Sequence, residues 1–140
     1  MLIDCSLMGP ERRLHFEVSD IRQAAAFYAG AMNAEEIFRM SASTGEPTRL
    51  GMNIGPIGIT LGEIGAESDP MTLPRLAAEL NTTFVGVILY VPNPEDAARR
   101  AIDGGSRIHP AAEAEGPTCG DCPVQVVIDP FGNVWAFAKG

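Results

Sequence analysis

A strand that runs straight into a capped helix and is followed by three more strands occurs twice along these 140 residues. That repeat limits the folds open to the chain more than any other feature does. In the first copy, residues 13–18 alternate strictly: Arg13, His15 and Glu17 point one way, Leu14, Phe16 and Val18 the other. Asp20 stands where a helix N-cap belongs, with Gln23 three residues on in capping-box spacing. Ile21, Ala24, Ala25 and Tyr28 then recur on one helical face. The helix closes within residues 30–34, and residues 35–41 read as the next strand. Residues 49–54 and 57–63 form a hairpin about Gly55 and Pro56. In its second arm Ile57, Ile59 and Leu61 share one face, and Gly58, Thr60 and Gly62 the other.

The pattern restarts after residues 64–82, whose prolines, acids and small residues read as a linker with room for a helical turn over residues 75–80. Residues 84–91 form an apolar strand. Asn93 caps a second helix, and Pro94 sits at its first position, where the missing N–H costs nothing. Gly104 and Gly105 end that helix, as a left-handed C-terminal cap requires. Residues 106–110, 123–128 and 133–138 supply three strands, the last two joined by the turn Asp129-Pro130-Phe131-Gly132. Residues 1–11, broken at Gly9 and Pro10, are a lead-in that forms either an extra edge strand or a loop.

This order predicts an α+β fold of two tandem βαβββ modules whose sheets curl around a shared cleft. One domain is expected over residues 1–140, made of a module at 12–63, the linker at 64–82 and a module at 83–140. A net charge of -8 argues against nucleic-acid or anionic-membrane partners, both of which need basic patches. No apolar run approaches a membrane span, and the first residues lack a basic stretch followed by an apolar one. Three cysteines, an odd number, fit a reducing compartment better than a disulfide framework, so a cytoplasmic location is expected.

The two copies, with HFEVSD leading into AAAFYAGAMNAEEIF and DPFGNVWAF near the end, resemble the glyoxalase/bleomycin resistance/dioxygenase superfamily, also called vicinal oxygen chelate proteins. Within it, FYAGAMNAEEIFRM, LYVPNPEDAARRAIDGG and DPFGNVWAF are similar to the PhnB-like branch. The resemblance implies a homodimer and a cleft that takes a small organic ligand. It leaves the activity open, because the superfamily hosts isomerases, dioxygenases, thiol transferases and non-catalytic drug binders. Its metal-dependent members draw four ligands from the cleft strands. Carried over by position, those ligands fall on Arg13, Thr60, Gly86 and Ala136. A guanidinium, a hydroxyl, a hydrogen and a methyl do not hold a divalent ion, so no metal and no cofactor are expected.

The ligand-facing parity carries Arg13, His15, Glu17, Thr60, Gly86, Tyr90 and Ala136, a few polar groups among small residues. Arg13 either clamps a carboxylate or phosphate or pairs with Glu17 or another acid. His15 is either a general base, a displaced metal ligand together with Glu17 or Glu63, or a histidine bonded to a neighbouring strand. Cys119 and Cys122, two residues of a CxxC motif flanked by Pro117 and Pro123, read as a loop with free thiols rather than a zinc or redox centre. Trp135 and Phe137, opposite in parity to Ala136, are expected in the core. The leading functional expectation is metal-free binding of a small molecule, such as drug or metabolite sequestration. The alternative is a lyase or isomerase using His15 and Glu17, with or without an atypical metal site.

Overall fold

The computed structural model describes residues 2–4, 13–63, 72–81, 85–109 and 124–140. Its elements run β1 (Leu2–Ile3), β2 (Leu14–Val18), α1 (Ile21–Met32), β3 (Glu35–Ser41), β4 (Pro47–Ile54), β5 (Ile57–Glu63) and α2 (Leu73–Glu79). They continue with β6 (Gly86–Val91), α3 (Pro94–Asp103), β7 (Arg107–Ile108), β8 (Val124–Ile128) and β9 (Val134–Lys139). Residues 64–71 and 82 of the linker, the Gly9-Pro10 break and the expectations for Cys119 and Cys122 lie outside the described residues.

The two copies fold alike. One sheet has the strand order β2-β5-β4-β3 and the other β6-β9-β8-β7, with β1 added in parallel beside β6. In each sheet the copy's first strand runs parallel to its last and the others are antiparallel. The local signals act as expected. Asp20 accepts from the backbone N–H of Arg22 at 2.9 Å and of Gln23 at 3.2 Å, and Asn93 accepts from Asp96 at 3.1 Å. The helices end within the expected segments: Asn33 takes the left-handed conformation that closes α1 (φ 58°), and after α3 it is Gly105 of the Gly104-Gly105 pair that has positive φ.

Helix α1 packs on β4 and β5, α3 on β6, β8 and β9, and the two helices meet each other. One continuous core fills the space between helices and sheets. It takes Phe16, Val18, Leu50, Ile59 and Leu61 from the first sheet and Val87, Trp135 and Phe137 from the second. Period-two alternation puts these residues on the helix side and their sequence neighbours on the other face. Trp135 and Phe137 are buried, as their parity implies.

The two modules are also tied by a buried polar knot. Tyr28 of α1 donates its hydroxyl to Asp129 in the β8–β9 turn, and the Trp135 indole N–H donates to the same carboxylate oxygen at 3.0 Å. The backbone N–H groups of Phe131 and Asn133 donate to the other oxygen, each at 2.9 Å. Around it Phe16 meets the Trp135 ring edge-on at 5.6 Å and Tyr28 at 5.9 Å. Burial raises the Asp129 carboxyl above its usual range, and burial together with the neighbouring Asp129 charge raises the Tyr28 phenol.

Candidate functional site

With the helix sides of both sheets committed to the core, chemistry is left to their opposite faces. On the first sheet that face is polar. Directly paired residues place side chains on one side, so two rows can be read across the sheet. His15, Thr60, Gly51 and Phe38 make one row, and Glu17, Gly62, Arg49 and Met40 the next. Arg13, just before β2, reaches over the same face.

The Arg13 guanidinium is held in several directions. Its Nε donates to Thr60 Oγ1 at 3.1 Å, Nη1 to Asn53 Oδ1 at 3.0 Å, and Nη2 to the carbonyls of Met52 and Ile59 at 2.6 Å each. The Phe38 ring covers it, with the guanidinium carbon 5.4 Å from the ring centre. Gly51 makes this cover possible, because a Cβ there would stand 2.1 Å from Phe38 Cε1. These four acceptors are neutral, and together they fix where the guanidinium sits.

His15 and Glu17 are half-buried beside this cation, and neither side chain makes a hydrogen bond or ion pair among the described residues. Burial lowers the His15 imidazole below its ordinary value of 6.5, and the charges of Arg49 and Arg13 lower it further. His15 is therefore neutral at pH 7, with one ring nitrogen able to donate and one to accept. Thr60 is 3 % exposed, its hydroxyl turned to Arg13. Over Gly62 nothing lies within 4 Å of where a side chain would begin, which leaves a notch between Glu17 and Arg49.

The remaining sequence candidates lie on the second sheet. Gly86 is buried, and the space its missing side chain leaves is taken by Val134 and Leu2, at 2.8 and 2.9 Å from a notional Cβ. Ala136 is fully buried in a small apolar cluster with Val126 and Val134, against which Leu2, Ile88 and Ile128 pack. Tyr90 is exposed and stands against Gly140. The structure thus brings Arg13, His15, Glu17 and Thr60 together on one sheet and sets Gly86, Tyr90 and Ala136 on the other. Glu63 pairs with Val18 and so falls on the helix-side parity, away from the face of His15. This corrects the expectation that it could join His15 around an ion. Arg49, Asn53 and Phe38 were missed, although the shared parity of Arg49, Gly51 and Asn53 was a signal for two of them.

A model of the glyoxalase/bleomycin resistance protein/dioxygenase superfamily matches residues 13–137. The chain belongs to that superfamily. Solved structures with the same fold include a gene product from Arabidopsis thaliana, at 21% identity over 91% of this chain and 96% of that one, with a TM-score of 0.62. TioX from Micromonospora sp. ML1 is 15% identical over 91% and 94%, with a TM-score of 0.59. The fosfomycin resistance protein FosX from Listeria monocytogenes, solved with Mn(II) and sulfate, is 14% identical over 91% and 89%, with a TM-score of 0.61. No curated protein gives a significant match.

At the positions onto which the metal ligands carry over, Arg13 is a permanent cation bonded to Thr60, and Gly86 and Ala136 offer no donor atom. Among the described residues no three His, Cys, Asp or Glu side chains are grouped to hold an ion. These residues do not fit a divalent metal. No described helix is long and apolar enough to cross a membrane.

The electrostatics of this face can be read directly. In a proton NMR titration the His15 ring signals should move with a midpoint below 6.5, and Arg49→Met should raise that midpoint toward the ordinary value. A wild-type midpoint at or above 6.5 would contradict the positive field described here.

Proposed function

We propose that this protein is a metal-free, small-molecule-binding member of its superfamily, and that its ligand lies on the face of the β2–β5 sheet turned away from α1. The observation that carries this reading is the Arg13 guanidinium. It stands at the first position the resemblance assigns to a metal ligand, anchored to Thr60, Asn53, Met52 and Ile59, with His15 and Glu17 unengaged beside it. A fixed side-chain cation repels a divalent ion and attracts organic polar groups. Sequestration of a drug or metabolite needs only this affinity and shape. In the same proposal the protein is PhnB-like, works as a cytoplasmic homodimer, and is divided into a module at 12–63, a linker at 64–82 and a module at 83–140.

A second reading has one observation in its favour. His15 is neutral and Glu17 lies in the next row of the same face, which suits proton abstraction by a lyase or isomerase. One experiment separates the two and tests both. A library of small aromatic and aliphatic compounds is screened by thermal shift, alongside Mn(II), Ni(II) and Zn(II) alone, with the His15 NMR signals followed for each hit. Saturable stabilisation by an organic compound that moves His15, with no shift from any metal, is the expected result. Tight metal binding, or hits that never disturb His15, would sink the binding proposal. Turnover of a hit that is abolished in His15→Ala would favour the enzyme.

A further inference from the structure

The group that stands out on this face is a half-buried carboxylate without a partner. Arg13 bonds to Asn53 and Thr60, and Arg49 is engaged as well. Glu17 makes no hydrogen bond or ion pair among the described residues. It pairs across the sheet with Gly62, where nothing lies within 4 Å of the point at which a side chain would begin. The carboxylate therefore borders an open seat floored by bare backbone. His15, likewise without a hydrogen bond among the described residues, stands beside the seat in the adjoining row, roughly 6.6 Å along the strand. At the outer end of the same two rows the edge strand β3 presents Met40 and Phe38, 54% and 37% exposed. The face thus runs from an unmatched acceptor to an apolar margin.

We propose that this face takes an organic ligand through a fork of two parallel N–H donors, seated over Gly62 on the Glu17 carboxylate, with the ligand's apolar body lying along Met40 and Phe38. The assignment rests on the reading of this face as the ligand site and names the chemical class that the site takes. An ionised carboxylate accepts and never donates, and its two oxygens match two parallel N–H bonds. A ligand that displaces water from such a group has to return the hydrogen bonds: an acceptor-only head leaves both oxygens unsatisfied, and a donor fork satisfies both. The fork occurs in two chemistries, the neutral urea type and the charged guanidinium type. Neutral His15 has one nitrogen that donates and one that accepts, so it meets either kind of polar atom on the ligand's flank. The aromatic and thioether surfaces of Phe38 and Met40 suit a flat apolar body.

The test uses four probes that share a phenyl body and differ in the head. Phenylurea carries the neutral fork and phenylguanidinium the charged one; acetanilide replaces one N–H group of the fork by a methyl, and benzoate has acceptors only. Binding to the full-length protein is measured by calorimetry, and the His15 ring signals are followed by NMR. The better of the two fork probes should bind saturably, at least tenfold tighter than acetanilide and benzoate, and should shift the His15 signals. Which of the two leads shows whether the fork is neutral or charged. Glu17→Gln, which keeps the shape and one acceptor oxygen, should weaken that probe at least tenfold, to the level of acetanilide. Gly62→Val should fold, since the space for its side chain is open and a strand accepts valine, and should block the seat. Glu95→Gln, on the exposed side of α3, should change nothing. Acetanilide or benzoate binding as tightly as the better fork probe, and moving His15, overturns the donor-fork assignment and leaves the ligand face standing. Full affinity in Glu17→Gln or Gly62→Val overturns it as well. So does the absence of binding, or binding that leaves His15 silent, and the library screen above then decides separately whether the face takes any ligand.

Discussion

Asp129→Ala is expected to remove about 3–5 kcal/mol of stability, read as a lower denaturant midpoint at unchanged slope, because the substitution strands several donors at once. The Tyr28 hydroxyl, the Trp135 indole and the backbone N–H groups of Phe131 and Asn133 all point at this one carboxylate, and Tyr28 and Trp135 are fully buried. No water from bulk reaches the two buried side chains without opening the core that joins α1 to β9. Asp129→Asn should cost less, because the amide keeps one acceptor oxygen and the Tyr28 hydroxyl can turn round to accept from the new N–H. The pH dependence has an unusual sign. Asp129 has a folded-state value raised above the ordinary 3.8, so the folded protein binds this proton more tightly than the unfolded chain does. Its contribution to stability is therefore greatest below 3.8 and falls as pH rises from there through the folded value. Above that it is constant. Tyr28 adds a second loss at the alkaline end. Its folded value lies well above 10.0, so the unfolded chain ionises first and stability falls as pH climbs past 10.0. Tyr28→Phe should abolish the alkaline component and Asp129→Asn the acidic one. An unfolding midpoint for Asp129→Ala within about 1 kcal/mol of wild type would mean that the knot does not hold the modules together.

The knot also shows where sequence reading stops. The DPFG turn was legible as a turn: Pro130 and Gly132 sit where turn geometry wants them, and Gly132 has the positive φ that glycine tolerates best. That Asp129 would gather donors from Tyr28, 101 residues away, was not legible, because no local pattern reports which distant groups share a buried oxygen. The same contrast holds on the open faces. Alternation placed Arg13, His15, Glu17 and Thr60 on one parity, and the register of β2 against β5 set His15 beside Thr60. Alternation also gave Gly86 and Ala136 their parity, but not their surroundings. The room at Gly86 is filled by Leu2, whose two-residue strand β1 comes from a lead-in that carried no clear signal. Phe38 was missed for a related reason. The register of β3 on β4 shifts between Glu36 and Phe38, so simple counting along residues 35–41 loses the face at that point.

Arg13 separates a structural role from an electrostatic one, and two substitutions read the two roles independently. Arg13→Met keeps the length of the side chain and removes its donors to Thr60, Asn53, Met52 and Ile59. Because the guanidinium is only partly buried, water can replace some of these bonds, and the expected loss is about 2–3 kcal/mol rather than the sum of the four. The His15 midpoint should rise as well, since Arg13 is one of the two charges that hold it down. Arg13→Lys keeps the charge, but its compact ammonium cannot span two strands' carbonyls, a hydroxyl and an amide at the same time. It should therefore leave the His15 midpoint low while recovering little of the stability. If Arg13→Lys restored stability and midpoint together, the bonds would matter less than the charge, and the guanidinium would be no staple. Arg13→His completes the argument from the other side. It places a second imidazole two residues before His15 on the same strand parity, yet the remaining positions still offer only Thr60, Gly86 and Ala136. Manganese or zinc should not stabilise that variant, because the new imidazole, His15 and Glu17 follow one another at every second residue of a single extended strand, so the first and last of them are too far apart to share one ion. Strong stabilisation of Arg13→His by either metal would show that the rest of the face is still a metal site, and that the arginine alone had closed it.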